Sequence, residues 1–266
     1  MDPRTRRLFA FGAWLGRRYG AFIIVVATWE LVARYLAATG APAFVLPSPA
    51  TVARELPMSI QEGILPSYLK ASMVHLVLAG SLGLVAGAAA GLLIGLNRWV
   101  ARFFYPLLNF FQSIGGIALA PLAIIWFGFT TPGLVAVVDY TVFFPLVFNT
   151  LTGVRSVPSV YVNAARTLGA GRVQVVRDVI LPGALPNILA GTRLSLAYGW
   201  RGLIAVEMLF ALDGLGFMIF DAQQYLDTPQ IILGMIVLGV LWLVISDMVL
   251  KPLEDLTIGR WGMVHR

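Results

Sequence analysis

The chain has 266 residues, of which 59% are hydrophobic and 12% charged, and its mean hydropathy of +0.84 excludes a soluble domain of this length. It is an integral membrane protein. Zero cysteines remove disulfides, thiolate metal sites and cysteine nucleophiles, and the net charge of +6 reads as arginine in short loops on one side of a membrane, with no nucleic-acid role.

Residues 1–18 are read as a cytoplasmic N-terminal segment carrying Arg4, Arg6, Arg7, Arg17 and Arg18, followed by a transmembrane domain over 19–266. A basic start before an apolar run from Ala21 also has the outline of a signal peptide; with further spans behind it, an uncleaved first helix is expected. A bilayer core about 30 Å thick takes about 20 helical residues to cross. On that ruler the first span covers about Tyr19 to Ala38. Leu46 to Pro49, LPSP, breaks the chain, and an amphipathic stretch from Pro49 to Lys70, with Arg54, Glu55 and Glu62, is placed on the outer surface.

The second span, about Ala71 to Leu96, holds His75 as its ionisable side chain. Gly83, Gly87, Gly91 and Gly95 recur every four residues and put bare backbone on one face, where another helix can approach closely. Phe103 to Val138 carries no charge and would measure about 54 Å as one helix at about 1.5 Å per residue, so it must turn. Phe129-Thr130-Thr131-Pro132-Gly133 supplies the turn, giving a third span of about Phe103 to Phe127 and a fourth of about Gly133 to Thr152. Gly115-Gly116 and Pro121 predict a kink in the third. The fifth span is expected from about Pro186 to Leu212 and the sixth from about Pro229 to Leu250.

With a cytoplasmic N-terminus, the inner side also collects Arg98, Arg102, Arg155, Arg166, Arg172, Arg177, Lys251, Arg260 and Arg266. The outer loops hold Arg34, Arg54 and Lys70 together with Asp213, Asp221 and Asp227. Six spans with both termini inside satisfy the positive-inside rule, whereas five or seven strand one arginine block on the wrong side.

The stretch from Tyr161 to Asn187 therefore faces the cytoplasm. Ser156 is positioned to cap a helix, with Pro158 in the first turn, running to about Leu168. Gly169 is the natural stop, and Gly171 opens a second helix whose Val173, Val176 and Ile180 recur at helical spacing until Leu181-Pro182 ends it. With small Ala164 and Ala165 on one face, the pair makes a knob suited to a groove on another protein, or an ordinary connection between spans.

Neither Lys70 nor Lys251 sits in a Walker A context, so the chain does not bind ATP in that way, and no metal-spaced cluster or nucleophile elbow is present. No catalytic machinery is expected. Glu30, His75, Asp139, Arg193, Arg201, Glu207 and Asp247 fall at membrane depth, where each must be paired or line a wet cavity. Ser195, Tyr198 and Arg201 on the fifth span, with Asp139 and Glu207, are candidate pore residues; an Arg201–Asp139 ion pair is the competing reading.

Asn163-Ala164-Ala165, then Gly169, then Ile180-Leu181-Pro182 resembles the EAA loop of ATP-binding-cassette importer permeases, with Asn163 where that family usually has Glu. LPSP, Ile117 to Phe129, Phe143 to Pro158, Glu207-Met208-Leu209 and Gly214 to Phe217 are similar to the nitrate, sulfonate and taurine type. The resemblance implies an all-α, six-helix permease of type I importer fold, similar to the methionine importer, with a coupling loop over 156–182. In it Asn163, Ala164, Ala165, Arg166, Leu168, Gly169, Ala170 and Gly171 would contact the ATPase. It further implies a bacterial inner-membrane location, a second permease copy or paralogue, two ATPase subunits that bind ATP and Mg, and an external binding protein delivering a small solute. The solute would be an anion such as a sulfonate, nitrate or bicarbonate. A secondary transporter coupled to protons through Asp139 or Glu207 is the alternative from another class.

Overall fold

The computed structural model describes residues 3–42 and 44–252, with side chains from Gly20 onward. The side chains of the N-terminal arginines, and Arg260 and Arg266, lie outside the described residues. The elements are α1 (Pro3–Ala38), α2 (Pro49–Gln61), α3 (Ile64–Leu96), α4 (Arg98–Ser113), a 3-10 turn (Gly116–Leu119), α5 (Ala120–Phe127), α6 (Thr131–Ser156), α7 (Ser159–Thr167), α8 (Arg172–Val175), α9 (Leu181–Phe210), α10 (Leu215–Gln224) and α11 (Thr228–Ile245). Among the described residues five helices are long and apolar enough to cross a membrane: Gly20–Ala38, α3, α6, Arg172–Phe210 and Thr228–Leu250. The pair Arg98–Ser113 and Gly116–Phe127, bent by 81°, makes six if it counts as one broken span.

Several expected boundaries move, each for a local reason. The amphipathic stretch after LPSP ends early: Ser48 caps α2 by accepting from the Thr51 amide at 3.2 Å, and Gly63, at φ +74°, lets α3 start at once. Lys70 therefore sits inside the second span, which begins at Ile64 rather than Ala71. The kink expected at Gly115-Gly116 is a full break, since Ile114 is extended and the Tyr140 hydroxyl holds the end of α4 by donating to the Phe111 carbonyl. A short helix, α10, folds back between the last two spans, where only a loop was expected.

The second helix of the stretch from Tyr161 to Asn187 does not end at Leu181-Pro182. Val176–Ile180 forms a π-turn in which the Leu181 amide donates to the Val176 carbonyl, five residues back, and the helix continues as one 39-residue rod, Arg172–Phe210. Widening the turn by one residue relieves the crowding that Pro182 would otherwise cause and leaves its missing N–H without consequence. Nor does Ser156 cap α7. Its hydroxyl donates to the Gly153 carbonyl at 2.8 Å, and Pro158 occupies the N-cap position.

At the centre lies α6, with half of its apolar stretch buried, more than in any other candidate span. The glycine row of α3 runs along it. A Cβ on Gly83 would lie 2.9 Å from Val142 Cβ, one on Gly87 2.9 Å from the Phe143 carbonyl, and one on Gly91 2.6 Å from Thr150 Cβ. On its other side α6 meets α9 through Gly153, whose Cβ would sit 2.8 Å from Asn187 Cβ, and through Gly191, Gly199 and Gly202 of α9. Gly91→Ala is expected to destabilise by about 1–3 kcal/mol through overpacking, whereas Gly239→Ala, with nothing within 4 Å, should be neutral. Thermal unfolding in detergent reads the difference, and equal midpoints contradict this packing.

Candidate functional site

The stretch from Tyr161 to Asn187 begins as a protruding element. No residue of α7 is buried; Asn163, Ala164 and Arg166 are exposed and Ala165 is half-buried. Gly169 takes φ +88° as anticipated, and around it the Leu168 amide donates to the Ala164 carbonyl and the Ala170 amide to the Ala165 carbonyl. These bonds satisfy carbonyls that a helix end would leave open. The Gly171 amide, at the start of α8, donates to Gln174 Oε1 at 2.8 Å. Leu168 is 89% exposed and Val173 80%, so two apolar side chains flank the glycine turn with no cover from this chain.

Because α8, the π-turn and α9 form one rod, this element is joined rigidly to the interior of the bundle. Further along the rod, Leu194 and Tyr198 line a cavity of about 390 Å³. The remaining wall comes from the broken end of α4 (Gln112, Gly115, Gly116) and from α6 (Tyr140, Thr141, Phe144, Asn149). Phe144 packs edge-on against Tyr140, with ring centroids 4.6 Å apart, and Asn149 Nδ2 donates to the Pro145 carbonyl at 2.8 Å. The lining is aromatic and amide-rich, with no formal charge.

The five candidate pore residues separate. Tyr198 lines the cavity. Arg201, one turn further along α9, is exposed, with its guanidinium carbon 5.9 Å from the Tyr198 ring centroid. No ion pair joins it to Asp139, whose Oδ1 is buried without a hydrogen-bond partner. Ser195 is fully buried on the small-residue face of α9 with Gly191, Gly199 and Gly202, which packs against α6 and not on the cavity.

Glu207 is fully buried and does not line the cavity. Its carboxylate accepts from Ser72 Oγ at 2.9 and 2.8 Å and from the Gly216 amide at 3.0 Å, and it meets His75 Nδ1 at 3.0 Å. Ser72 Oγ in turn accepts from the Leu215 amide at 2.8 Å. One carboxylate thus ties α9 to α3 and to the first amides of α10, which are open donors at a helix start. Gly214, at φ +103°, leaves room for it: a Cβ there would sit 2.5 Å from Oε1. His75 Nε2 points to Asp213, 3.7 Å away, beside a second cavity lined by Thr130, Thr131 and Asp213.

Ser72 and the cavity residues Gln112, Thr141 and Asn149 were not singled out in the sequence. Gln112 and Asn149 carry a detectable signal, being amides within apolar spans; Ser72 and Thr141 carry none, since hydroxyls in spans commonly bond their own helix. Thr141 does so, donating to the Val137 carbonyl at 3.0 Å.

A glycine-seamed helical bundle, an uncharged cavity at a broken span and an exposed two-helix knob joined to that cavity define a transport permease. The chain belongs to the family of binding-protein-dependent transport system inner membrane components, whose model matches residues 83–250. It is 34% identical over 227 residues to the taurine transport system permease protein TauC of Escherichia coli (strain K12), covering 84% of this chain and 82% of that one. It is 33% identical over 217 residues to the putative aliphatic sulfonates transport permease protein SsuC of Bacillus subtilis (strain 168), covering 82% and 78%. The bicarbonate transport system permease protein CmpB of Synechococcus elongatus is 33% identical over 180 residues, covering 67% and 65%. In fold it is similar to a solved chain of the inward-facing MetNI methionine ABC transporter, at a TM-score of 0.63 and 18% identity, over 73% of this chain and 95% of that one. The chain is thus an inner-membrane permease subunit of an ATP-binding-cassette importer, with a type I all-helical fold, in a family of transport proteins and not of enzymes. Nothing in these likenesses supports an ATPase-free, ion-coupled transporter.

Glu207→Gln leaves donors facing an amide and should lower stability by about 1–3 kcal/mol, with uptake falling only in proportion to folded protein. Uptake lost at an unchanged melting temperature would place Glu207 in the transport path instead.

Proposed function

We propose that the chain forms, with a second permease copy or paralogue, the pathway for a small anion of the sulfonate or bicarbonate kind, delivered by an extracytoplasmic binding protein. Two partner ATPases, which bind the ATP and Mg, drive it from the cytoplasmic side, where both termini of this chain lie. The observation that carries this reading is the continuous rod from Arg172 to Phe210, which begins in the exposed knob and holds Tyr198 in the cavity wall. Closure of the two ATPases on ATP draws the knobs together, and a rod without a joint at Leu181-Pro182 passes that movement to the cavity. Relatives whose names specify taurine, aliphatic sulfonates and bicarbonate support the substrate class.

In the knob, Asn163, Ala164, Ala165, Arg166, Leu168, Gly169, Ala170 and Gly171 form the contact with the ATPase. Small side chains at 164 and 165 let a partner approach the backbone, and exposed Leu168 supplies an apolar anchor. Gly169→Asp adds a charge at that contact and a side chain at a left-handed turn, with nothing of this chain within 4 Å to disturb. ATP-driven uptake and ATPase co-purification should fall while the spans remain inserted. Full yield of the ATPase with unimpaired uptake would remove the knob from coupling.

Selectivity for anions follows from Arg201. The cavity wall itself is uncharged, so two copies of Arg201 beside two Tyr198 rings set the sign of the field in a shared passage. Arg201→Gln should reduce anion uptake about tenfold, the factor equivalent to about 1.4 kcal/mol, with normal assembly. Because no ion pair links the two residues, Asp139→Asn should not restore it. Restoration of both folding and uptake by that second change would take Arg201 out of the substrate path.

A further inference from the structure

Where α3 ends and α4 begins, Arg98 and Arg102 of α4 and Arg155 in the last turn of α6 line a recess of about 390 Å³ with Gly95 and Leu96. Two features set it apart from an ordinary solvated basic face. Among the described residues no carboxylate lies within ion-pair distance of any of the three guanidiniums, although the chain's exposed Arg34 does pair, with Glu30 at 2.6 Å. Three like charges around one recess repel, and a site of this kind is stable in the presence of an anion.

The second feature is the helix face beside it. On α4 the residues Ala101 and Leu108 turn inward and are buried, whereas Trp99, Phe103 and Phe110 are 74%, 69% and 62% exposed. Positions 99, 103 and 110 fall on one helical stripe, and Arg98 and Arg102 flank it on the side of the recess. The Arg102 guanidinium lies over the Trp99 ring, 5.3 Å from its centroid. An exposed tryptophan at the end of a span, followed by aromatic residues running down into the apolar depth, marks the level where headgroups give way to acyl chains. The recess thus offers cations at headgroup level and an apolar track directly beneath them.

We propose that Arg98, Arg102 and Arg155 bind the phosphate of an anionic phospholipid from the leaflet on the knob side, with an acyl chain lying along Trp99, Phe103 and Phe110. Guanidinium groups are suited to this, since their planar forks match phosphate oxygens in pairs. The lipid bridges the start of α4 to the end of α6. Since α7 begins four residues after Arg155, the site lies at the root of the knob, and a bound lipid steadies the hinge about which the knob would move.

The test is lipid retention by the purified permease in complex with its ATPases, measured by native mass spectrometry after exchange into defined mixtures of phosphatidylglycerol and phosphatidylcholine. The wild-type complex should retain phosphatidylglycerol preferentially. Each of Arg98→Gln, Arg102→Gln and Arg155→Gln should cut that preference about fivefold, as expected for one arginine near an anionic surface. The corresponding Arg→Lys changes, which keep the charge but lose the paired fork geometry, should cut it less than Arg→Gln. Equal retention of the two lipids by the wild type overturns the proposal without any variant, so poor folding of a substituted chain does not shield it. Loss of the preference in millimolar inorganic phosphate would show a free-anion site and overturn the lipid assignment. Variants that keep the lipid preference but lose the ATPase would show that the arginines meet a partner's carboxylates, which also overturns it. Retention, unlike uptake, reports on this site whether or not the anion pathway proposed above is correct.

Discussion

In a bilayer an apolar side chain gains nothing by leaving lipid for another helix, so the bundle depends on how closely helix backbones approach. That approach is made at α6. Gly83, Gly87 and Gly91 of α3 lie against one side of it and Gly191, Gly199 and Gly202 of α9 against another, with virtual Cβ atoms at several of these positions falling inside van der Waals contact of α6. The hydroxyl of Ser195 is buried in the same seam without a hydrogen-bond partner, which fits a residue placed there for its size. Once α3 and α9 are seated on α6, the cavity beside Tyr140, Thr141 and Asn149 lies at the edge of the α9 seam, since a Cβ on Gly191 would meet Asn149 and one on Gly202 would meet Thr141.

The polar interactions are arranged around that seam and divide by role. Glu207, Ser72, His75 and the amides of Leu215 and Gly216 make a closed network in which both carboxyl oxygens have hydrogen-bond partners. Such a network in a membrane interior fixes geometry, since breaking any one bond leaves a buried polar group unpaired. It anchors α10 beneath the turn after α9: a Cβ on Gly214 would meet the Glu207 carboxyl, and one on Gly216 the Ile204 carbonyl and Glu207 Cβ. Arg201 and the Arg98–Arg102–Arg155 recess have the opposite character. Their charges have no carboxylate partner among the described residues, and each faces open space.

Continuity of α8 into α9 gives the molecule its mechanical property. A break at Leu181-Pro182 would have separated the knob from the span as two hinged bodies. The π-turn at Val176–Ile180 instead absorbs the proline while keeping the hydrogen-bonded ladder, so the knob and the cavity wall are ends of one element. At the other junction α6 passes to α7 through Val157 and Pro158, a short extended link that ends one helix and starts the next. The knob is thus continuous with a span on one side and joined to α6 through a two-residue extended link on the other.

Much of this was legible in the sequence. Long apolar runs set the spans, the four-residue glycine step announced a close helix contact, and Gly169 announced a left-handed turn, because each is a property of chain segments read one at a time. The likeness of Asn163-Ala164-Ala165 and Gly169 to a known loop reached the family for the same reason: it is carried by a short continuous segment. What the sequence left open depends on which faces meet. Whether Glu207 lines a pore or binds Ser72 and Gly216, more than a hundred residues away in one case, is settled by the seating of α3 on α9. Ser195 and Tyr198 are near neighbours on one helix, yet one is sealed against α6 and the other lines a cavity, since about 100° of helical rotation per residue separates neighbouring side chains. The arginines at 98, 102 and 155 form a site because two helix ends converge, a fact of tertiary packing that their positions in the chain do not contain.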